Sequence, residues 1–296
     1  MSPMMTIAKS DNRPVAFQGV LGAYSHMACQ AMLPDFEVMP CESFSEMMRA
    51  VTDGRAAYAM VPVENSTAGR VADIHHLLPH SGLQIIAEHF QPVNHQLLGI
   101  KGAKLDDITE VHSHEQGLAQ CRLTLESLNI KPVIHSDTAG SAKDIAAFGK
   151  RHIGAIASHL AGEIYGLDIV KENVEDITSN TTRFLVMRPE SPIAPRQDGH
   201  SYMTTIVFRV RSVPAVLYKA LGGFATNGIN LTKIESYMVG DGLSAAQFYI
   251  DCEGHVEDAS MKLALEELTF YCEGDGIQIM GSYPCAPFRL QKNGRP

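Results

Sequence analysis

Between Pro14 and about Pro189 short apolar runs alternate with longer amphipathic stretches, and this alternation constrains the chain more than any other feature. Val15-Ala16-Phe17, Phe36-Glu37-Val38-Met39, Tyr58-Ala59-Met60-Val61, Leu83 to His89, Leu97-Leu98-Gly99-Ile100, Val133-Ile134-His135, Ile153-Gly154-Ala155-Ile156 and Thr182 to Met187 have the length and apolar content of strands. Between them, Ser43 to Val51, Glu115 to Leu128 and Thr138 to Phe148 space their apolar residues as helices do. Strands separated by helices predict parallel α/β sheets, in which ligands sit beyond the carboxyl ends of the strands. The change of pattern at Gln91-Pro92-Val93-Asn94 reads as a crossing between two lobes, with a return near residues 175–182.

From Pro189 to Ser201 the sequence turns loop-like, with Ser191-Pro192-Ile193-Ala194-Pro195 and Asp198-Gly199, and reads as a linker. Beyond it the pattern is strand Met203 to Val210, helix Pro214 to Thr226, strand Asn230 to Val239, strand Ser244 to Cys252, helix Glu257 to Tyr271 and strand Ile277 to Ser282. Leu217, Leu221 and Phe224 recur at helical spacing, as do Met261, Leu265 and Leu268, so one face of each helix would cover a single antiparallel sheet. That βαββαβ order predicts a ferredoxin-like α+β unit.

The 296 residues suffice for two or three folding units. A formal charge of -9 without a basic stripe argues against nucleic acid or an anionic membrane surface as partner. Met1 to Arg13 is polar, and no stretch reaches the ~20 apolar residues of a membrane span, so a cytoplasmic location is expected. Cys29, Cys41, Cys121, Cys252, Cys272 and Cys285 form no Cys-x-x-Cys pair and read as buried reduced thiols. His76 and His80 lie one helical turn apart without a third ligand; we read them as a solvated helix face and expect no metal site.

The segment Thr181-Thr182-Arg183-Phe184 places a hydroxyl, a guanidinium and an aromatic ring at the start of an apolar strand, as where a sheet edge meets a cleft. Upstream lie Gly19-Val20-Leu21-Gly22-Ala23-Tyr24-Ser25, Val61-Pro62-Val63-Glu64-Asn65-Ser66-Thr67-Ala68-Gly69, Ser113-His114-Glu115-Gln116 leading to Gln120, and Asp137-Thr138-Ala139-Gly140-Ser141-Ala142. In order and spacing these segments resemble the prephenate dehydratase family, and Thr-Arg-Phe looks like its signature. The resemblance implies a two-lobed, periplasmic-binding-protein-like catalytic domain over residues 14–190 and an ACT regulatory domain over 201–290. It further implies loss of carboxylate and hydroxyl from prephenate to give phenylpyruvate, without a cofactor, in a homodimer or homotetramer inhibited by L-phenylalanine.

Such a reaction needs groups for two carboxylates and a donor aimed at the departing hydroxyl. Thr182 is the candidate donor. Arg183 either clamps a carboxylate with its planar fork or forms a structural ion pair on the opposite strand face. Asn65, Ser113 and Gln120 match polar positions of the family site, and Gln116 shares a helix face with Gln120. Glu64, Ser25, Thr138 and Phe184 are candidate substrate contacts, with loop organisation the competing role for Glu64 and helix capping for Thr138. Gly19 and Gly22 read as a tight strand-to-helix turn rather than a phosphate cradle, since no Walker Lys follows.

Ala215, Val216, Leu217, Asn230 and Leu231 are the candidate effector residues. Ala215-Val216-Leu217 stands where the family has Gly-Ala-Leu, and Glu235-Ser236-Tyr237-Met238 where it has Glu-Ser-Arg-Pro. Arogenate competes with prephenate as substrate, and a non-catalytic small-molecule-binding protein is the reading from another class.

Overall fold

The computed structural model describes residues 6–8, 11–238 and 246–292. The expected strand ends at Val239 and Ser244 lie outside them. In chain order the elements are β1 (Val15–Gln18), α1 (Tyr24–Met32), β2 (Val38–Cys41), α2 (Phe44–Thr52), β3 (Tyr58–Asn65), β4 (Gly69–Arg70), α3 (Ala72–Leu77), β5 (Leu83–Pro92) and β6 (Gln96–Gly99). Next come β7 (Glu110–His114), α4 (Glu115–Gln120), α5 (Arg122–Ser127), β8 (Lys131–His135), α6 (Thr138–Phe148), β9 (Ile153–Ala157), α7 (His159–Tyr165), β10 (Asp168–Lys171) and β11 (Thr181–Pro189). The rest comprises β12 (Tyr202–Val210), α8 (Val216–Thr226), β13 (Leu231–Met238), β14 (Ala246–Glu253), α9 (Ala259–Tyr271), β15 (Cys272–Pro284) and α10 (Pro287–Lys292).

Residues 6–71 and 89–184 make one compact unit; 72–88 and 185–292 belong to a second. A six-stranded sheet has the order β2-β1-β3-β11-β5 with β4 added to β3, and a five-stranded sheet has the order β10-β6-β9-β7-β8. The chain passes from the first sheet to the second over residues 93–95 and back over 172–180. Strands β2, β1 and β3 run parallel, as do β8, β7 and β9. The sheets are nevertheless mixed, not purely parallel as the alternation predicts: β4 pairs antiparallel with β3 in the first, and β6 pairs antiparallel with both β9 and β10 in the second. Strands β5 and β6 lie in different sheets, so β6 enters the second sheet straight from the first and not through a βαβ crossover within it.

The helix expected over Glu115 to Leu128 is two helices, broken at Cys121 (φ -114°, ψ 12°). The cause is a distant cap. The Asp176 carboxylate accepts from Leu123 N at 2.9 Å, Thr124 N at 3.0 Å and Thr124 Oγ1 at 3.1 Å, satisfying the orphan donors of a fresh N-terminus. The break leaves Gln120 at the end of the shorter helix. At the β1–α1 turn Gly22 has φ +88°, and a Cβ there would stand 2.7 Å from Ala161 Cα, so only glycine fits. This turn presents Tyr24 at the head of α1.

The second unit's sheet has the order β13-β14-β12-β15, with antiparallel neighbours throughout. Phe224, Met261 and Leu268 are buried between it and its helices, with Leu217, Leu221 and Leu265 packed against them. Each such burial is worth about 1.5–3 kcal/mol. Within the same unit, Glu88 is held bidentately by Arg289, at 2.6 Å from Nε and 3.0 Å from Nη2, and accepts from Ala286 N at 3.2 Å.

Candidate active site

A cavity of about 270 Å³ in the first unit is lined by Tyr24, Asn65, Val71, Val93, His95, His114, Gln116, Gly117, Gln120, Asp137, Thr138, Asn180 and Thr182. Four segments deliver the polar part. Asn65 ends β3 and folds its side chain back on the following turn, where Oδ1 accepts from Thr67 N at 3.0 Å, Ala68 N at 2.8 Å and Thr67 Oγ1 at 2.8 Å. Its Nδ2 then donates to Thr182 Oγ1 at 2.9 Å and to Asn180 Oδ1 at 2.7 Å. Asn180 Nδ2 donates to Gln120 Oε1 at 2.8 Å, and Gln120 Nε2 to Thr67 Oγ1 at 3.1 Å.

The chain of contacts continues to His95, whose Nε2 lies 2.9 Å from Gln120 Oε1 and whose Nδ1 lies 2.9 Å from the Tyr24 hydroxyl. Tyr24 OH also reaches Asn94 O at 2.8 Å. The buried Glu175 accepts from His95 N at 2.8 Å and fixes the backbone beneath the ring. Burial holds the His95 imidazole below its ordinary value, against opposing pulls from the Gln120 bond and the Glu175 charge. The same burial pushes the Tyr24 phenol well up, with Glu175 and Cys121 adding to it, so Tyr24 keeps its proton.

Of the residues singled out by sequence, Thr182, Asn65, Gln120, Gln116 and Thr138 meet at this cavity. Thr138 does not cap its helix. Asp137 does so, accepting from Gly140 N at 2.5 Å, which leaves the threonine facing the cavity. Ser113 is fully buried and donates to Ile156 O at 2.6 Å; it ties β7 to β9 and lies 3.0 Å from where a Cβ on Gly117 would stand. Arg183 and Phe184 are each 1% exposed and neither lines the cavity. The Arg183 guanidinium meets Glu64 at 3.1 Å, the ion pair that strand alternation left open, while Ser25 also lies outside the lining.

Sequence reasoning passed over His95 and Asn180. Their signals were faint: His95 sits in the polar run Asn94-His95-Gln96 ahead of an apolar strand, and Asn180 stands two positions before Thr182. A second cavity of about 460 Å³ shares Gln116, Gln120 and Asn180 with the first and adds Ala68, Ala119, Leu123 and Ile177 to its walls. Among the described residues no cluster of His, Cys, Asp and Glu is arranged to hold a metal ion, and none of the helices is long and apolar enough to cross a membrane.

The model of the prephenate dehydratase family matches residues 15–192. A bifunctional N-acyl-homoserine lactone acylase/prephenate dehydratase from Komagataeibacter europaeus is 48% identical over 94% of this chain and 98% of its own. The chloroplastic arogenate dehydratase/prephenate dehydratase 1 of Arabidopsis thaliana is 41% identical over 91% of this chain and 71% of its own. Among solved structures, prephenate dehydratase of Arthrobacter aurescens in complex with L-Phe superposes with a TM-score of 0.83 at 30% identity, covering 91% of this chain and 89% of that one. With the Thr-Arg-Phe strand and its amide neighbours inside the matched region, the chain belongs to the prephenate dehydratase family and is an enzyme, a lyase.

Proposed function

We propose that this enzyme converts prephenate to phenylpyruvate, carbon dioxide and water at the cavity around Thr182. One observation carries the reading. Thr182 Oγ1 already accepts a hydrogen bond from Asn65, and among the described residues its own O–H has no acceptor, so that proton points to whatever occupies the cavity. As the ring carbon–oxygen bond breaks, this bond to the departing hydroxyl strengthens, while the electron pair of the breaking carbon–carboxylate bond enters the ring and aromatises it. The dianion consumes one proton from solvent overall, leaving phenylpyruvate as a monoanion. Donor groups fixed before charge develops contribute most in such a site. Asn65 and Gln120 are fixed by partners that do not move with the substrate.

The test is a product assay with prephenate and with arogenate, reading phenylpyruvate against phenylalanine. Phenylpyruvate from prephenate with Thr182→Ala slower by ~100-fold supports the reading, and a Thr182→Ala enzyme of near-normal turnover removes the threonine from it. Arogenate stands second, supported by the plant relatives' names.

A further reading draws on the Komagataeibacter relative's first activity: the cavity beside Gln120 offers Ala68, Ala119, Leu123 and Ile177 to an acyl chain, with Thr67, Arg122 and Asp176 also in its wall. Incubation with an N-acyl-homoserine lactone, following release of the fatty acid, decides it.

For the second unit we infer an ACT domain that binds L-phenylalanine. The βαββαβ order and the L-Phe complex of the Arthrobacter relative support this. So does the backbone at Ala215, whose φ of +59° is one that glycine adopts readily, at the position where the family motif carries Gly. Val216 and Leu217 open α8, and Leu231 opens β13 with Asn230 immediately before it. Calorimetry with L-phenylalanine that shows neither heat nor inhibition at millimolar concentration defeats this part alone. A homo-oligomer in the cytoplasm completes the proposal.

A further inference from the structure

We propose that His95 is the site's cationic group, and that binding of the dianionic substrate is coupled to uptake of one proton on its Nδ1. The inference rests on the prephenate reading above. A dianion needs a counter-charge, yet the lining of the cavity contains neither Lys nor Arg, and Arg183 is engaged with Glu64. The lining's candidates for positive charge are His95 and His114.

The hydrogen-bond chain decides between them. The backbone N–H groups of Thr67 and Ala68 are donors only, so the atom of Asn65 they contact is Oδ1 and the other is the NH2. Asn65 Nδ2 therefore meets Asn180 Oδ1, which turns Asn180 Nδ2 toward Gln120, so the Gln120 atom between Asn180 and His95 is Oε1. An oxygen there obliges His95 Nε2 to carry hydrogen. In the neutral ring Nδ1 is then an acceptor, filled by the Tyr24 O–H at 2.9 Å.

Adding a proton to Nδ1 breaks nothing. The Tyr24 O–H turns to Asn94 O, 2.8 Å away, and its oxygen accepts the new N–H, so every partner keeps a bond. His114 has no such alternative: its Nδ1 accepts from Gln116 N at 3.2 Å as the cap of α4, and protonation there would put two donors face to face. The groups facing His95 are Tyr24 from α1, Gln120 from α4, Asn94, and Glu175 beneath its backbone; Asp137 and His114 share the cavity wall. Burial outweighs Glu175 in the empty site, so His95 is neutral at neutral pH, and two incoming carboxylates reverse the balance.

Linkage fixes the sign. Between the free-enzyme value, below 6.5, and the higher value in the complex, the dissociation constant rises about tenfold per pH unit. The experiment is calorimetry of prephenate binding to Thr182→Ala enzyme at pH 7.5 in two buffers of different ionisation heat, beside wild-type KM from pH 5.5 to 8.5. We expect up to one proton taken up and a KM that climbs with pH. His95→Gln, which retains a neutral donor to Gln120, should raise KM at neutral pH, flatten its pH dependence and abolish uptake. Buffer-independent heat with a flat wild-type KM overturns the proposal, as does uptake that persists in His95→Gln. Wild-type enzyme that forms no phenylpyruvate sinks the prephenate reading first. If His95→Gln does not fold, the wild-type pH series and the Thr182→Ala calorimetry still decide.

Discussion

Replacing Asn65 by Asp separates two jobs that one side chain does. Its Oδ1 holds the β3–β4 turn through Thr67 N and Ala68 N, and a carboxylate oxygen does that equally well. Its Nδ2 donates to Thr182 Oγ1 and Asn180 Oδ1, and there a carboxylate oxygen accepts where a donor is needed. The Thr182 O–H then turns onto the introduced carboxylate and is withdrawn from substrate. Loss of one preorganised donor costs about 10²–10³-fold in kcat, roughly 3–4 kcal/mol. The new negative charge also faces a dianion, so KM rises as well. Stability falls less, because Asn180 Oδ1 keeps Thr67 Oγ1 as a donor at 3.3 Å: about 0.5–1.5 kcal/mol for the one lost hydrogen bond, a fall of a few degrees in Tm. Steady-state phenylpyruvate formation alongside a thermal melt measures both. A kcat within about threefold of wild type, well short of the loss expected for one such donor, would refute the claim that Asn65 aims Thr182.

Arg289→Leu removes the bidentate counter-charge of Glu88, whose side chain is fully buried, and should cost about 3–5 kcal/mol, with Glu88→Leu in the same chain recovering most of it in a urea melt. Arg183→Lys keeps charge but not the fork, and because Arg183 lies outside the cavity lining we expect a lower Tm with KM changed less than about threefold, read from kinetics and a melt. Ala215→Gly releases a left-handed backbone and should stabilise by about 0.5–1 kcal/mol, which calorimetric unfolding resolves. Burial pushes the Cys272 thiol up to about 11 and those of Cys29, Cys121 and Cys252 higher still. Because these folded values lie above the unfolded one, stability is complete below about pH 8.5 and falls as pH rises beyond it; a Tm unchanged from pH 8 to 10 contradicts that.

Local pattern carried the antiparallel strands and the helices α8 and α9 of the second unit, since each of those elements repeats one period long enough to be read, but not the six-residue α3 and α10. It failed where a distant residue set the boundary. Nothing within Glu115 to Leu128 signals a break at Cys121; the cause is Asp176, more than fifty positions away. The site shows the same division. Thr182, Asn65 and Gln120 were legible as polar residues at the ends of apolar or amphipathic runs, whereas His95 and Asn180 owe their place to pairing across the two sheets. Arg183 was legible as a residue and ambiguous as a role, because strand alternation names the face a side chain takes but not the Glu64 waiting there.

The second unit is assembled from two stretches of chain, 72–88 and 185–292, that are far apart in the order of synthesis. When residues 72–88 leave the ribosome, Arg289 has not yet been made, so the bidentate pair with Glu88 can form only once the chain is nearly complete. A growing chain that stalls before that point holds an early segment without its mates, and a ribosome-bound intermediate halted at residue 194 should be cleaved by protease within 72–88 while the full-length chain is spared. A cut near residue 190 would likewise leave Glu88 and Arg289 on different pieces.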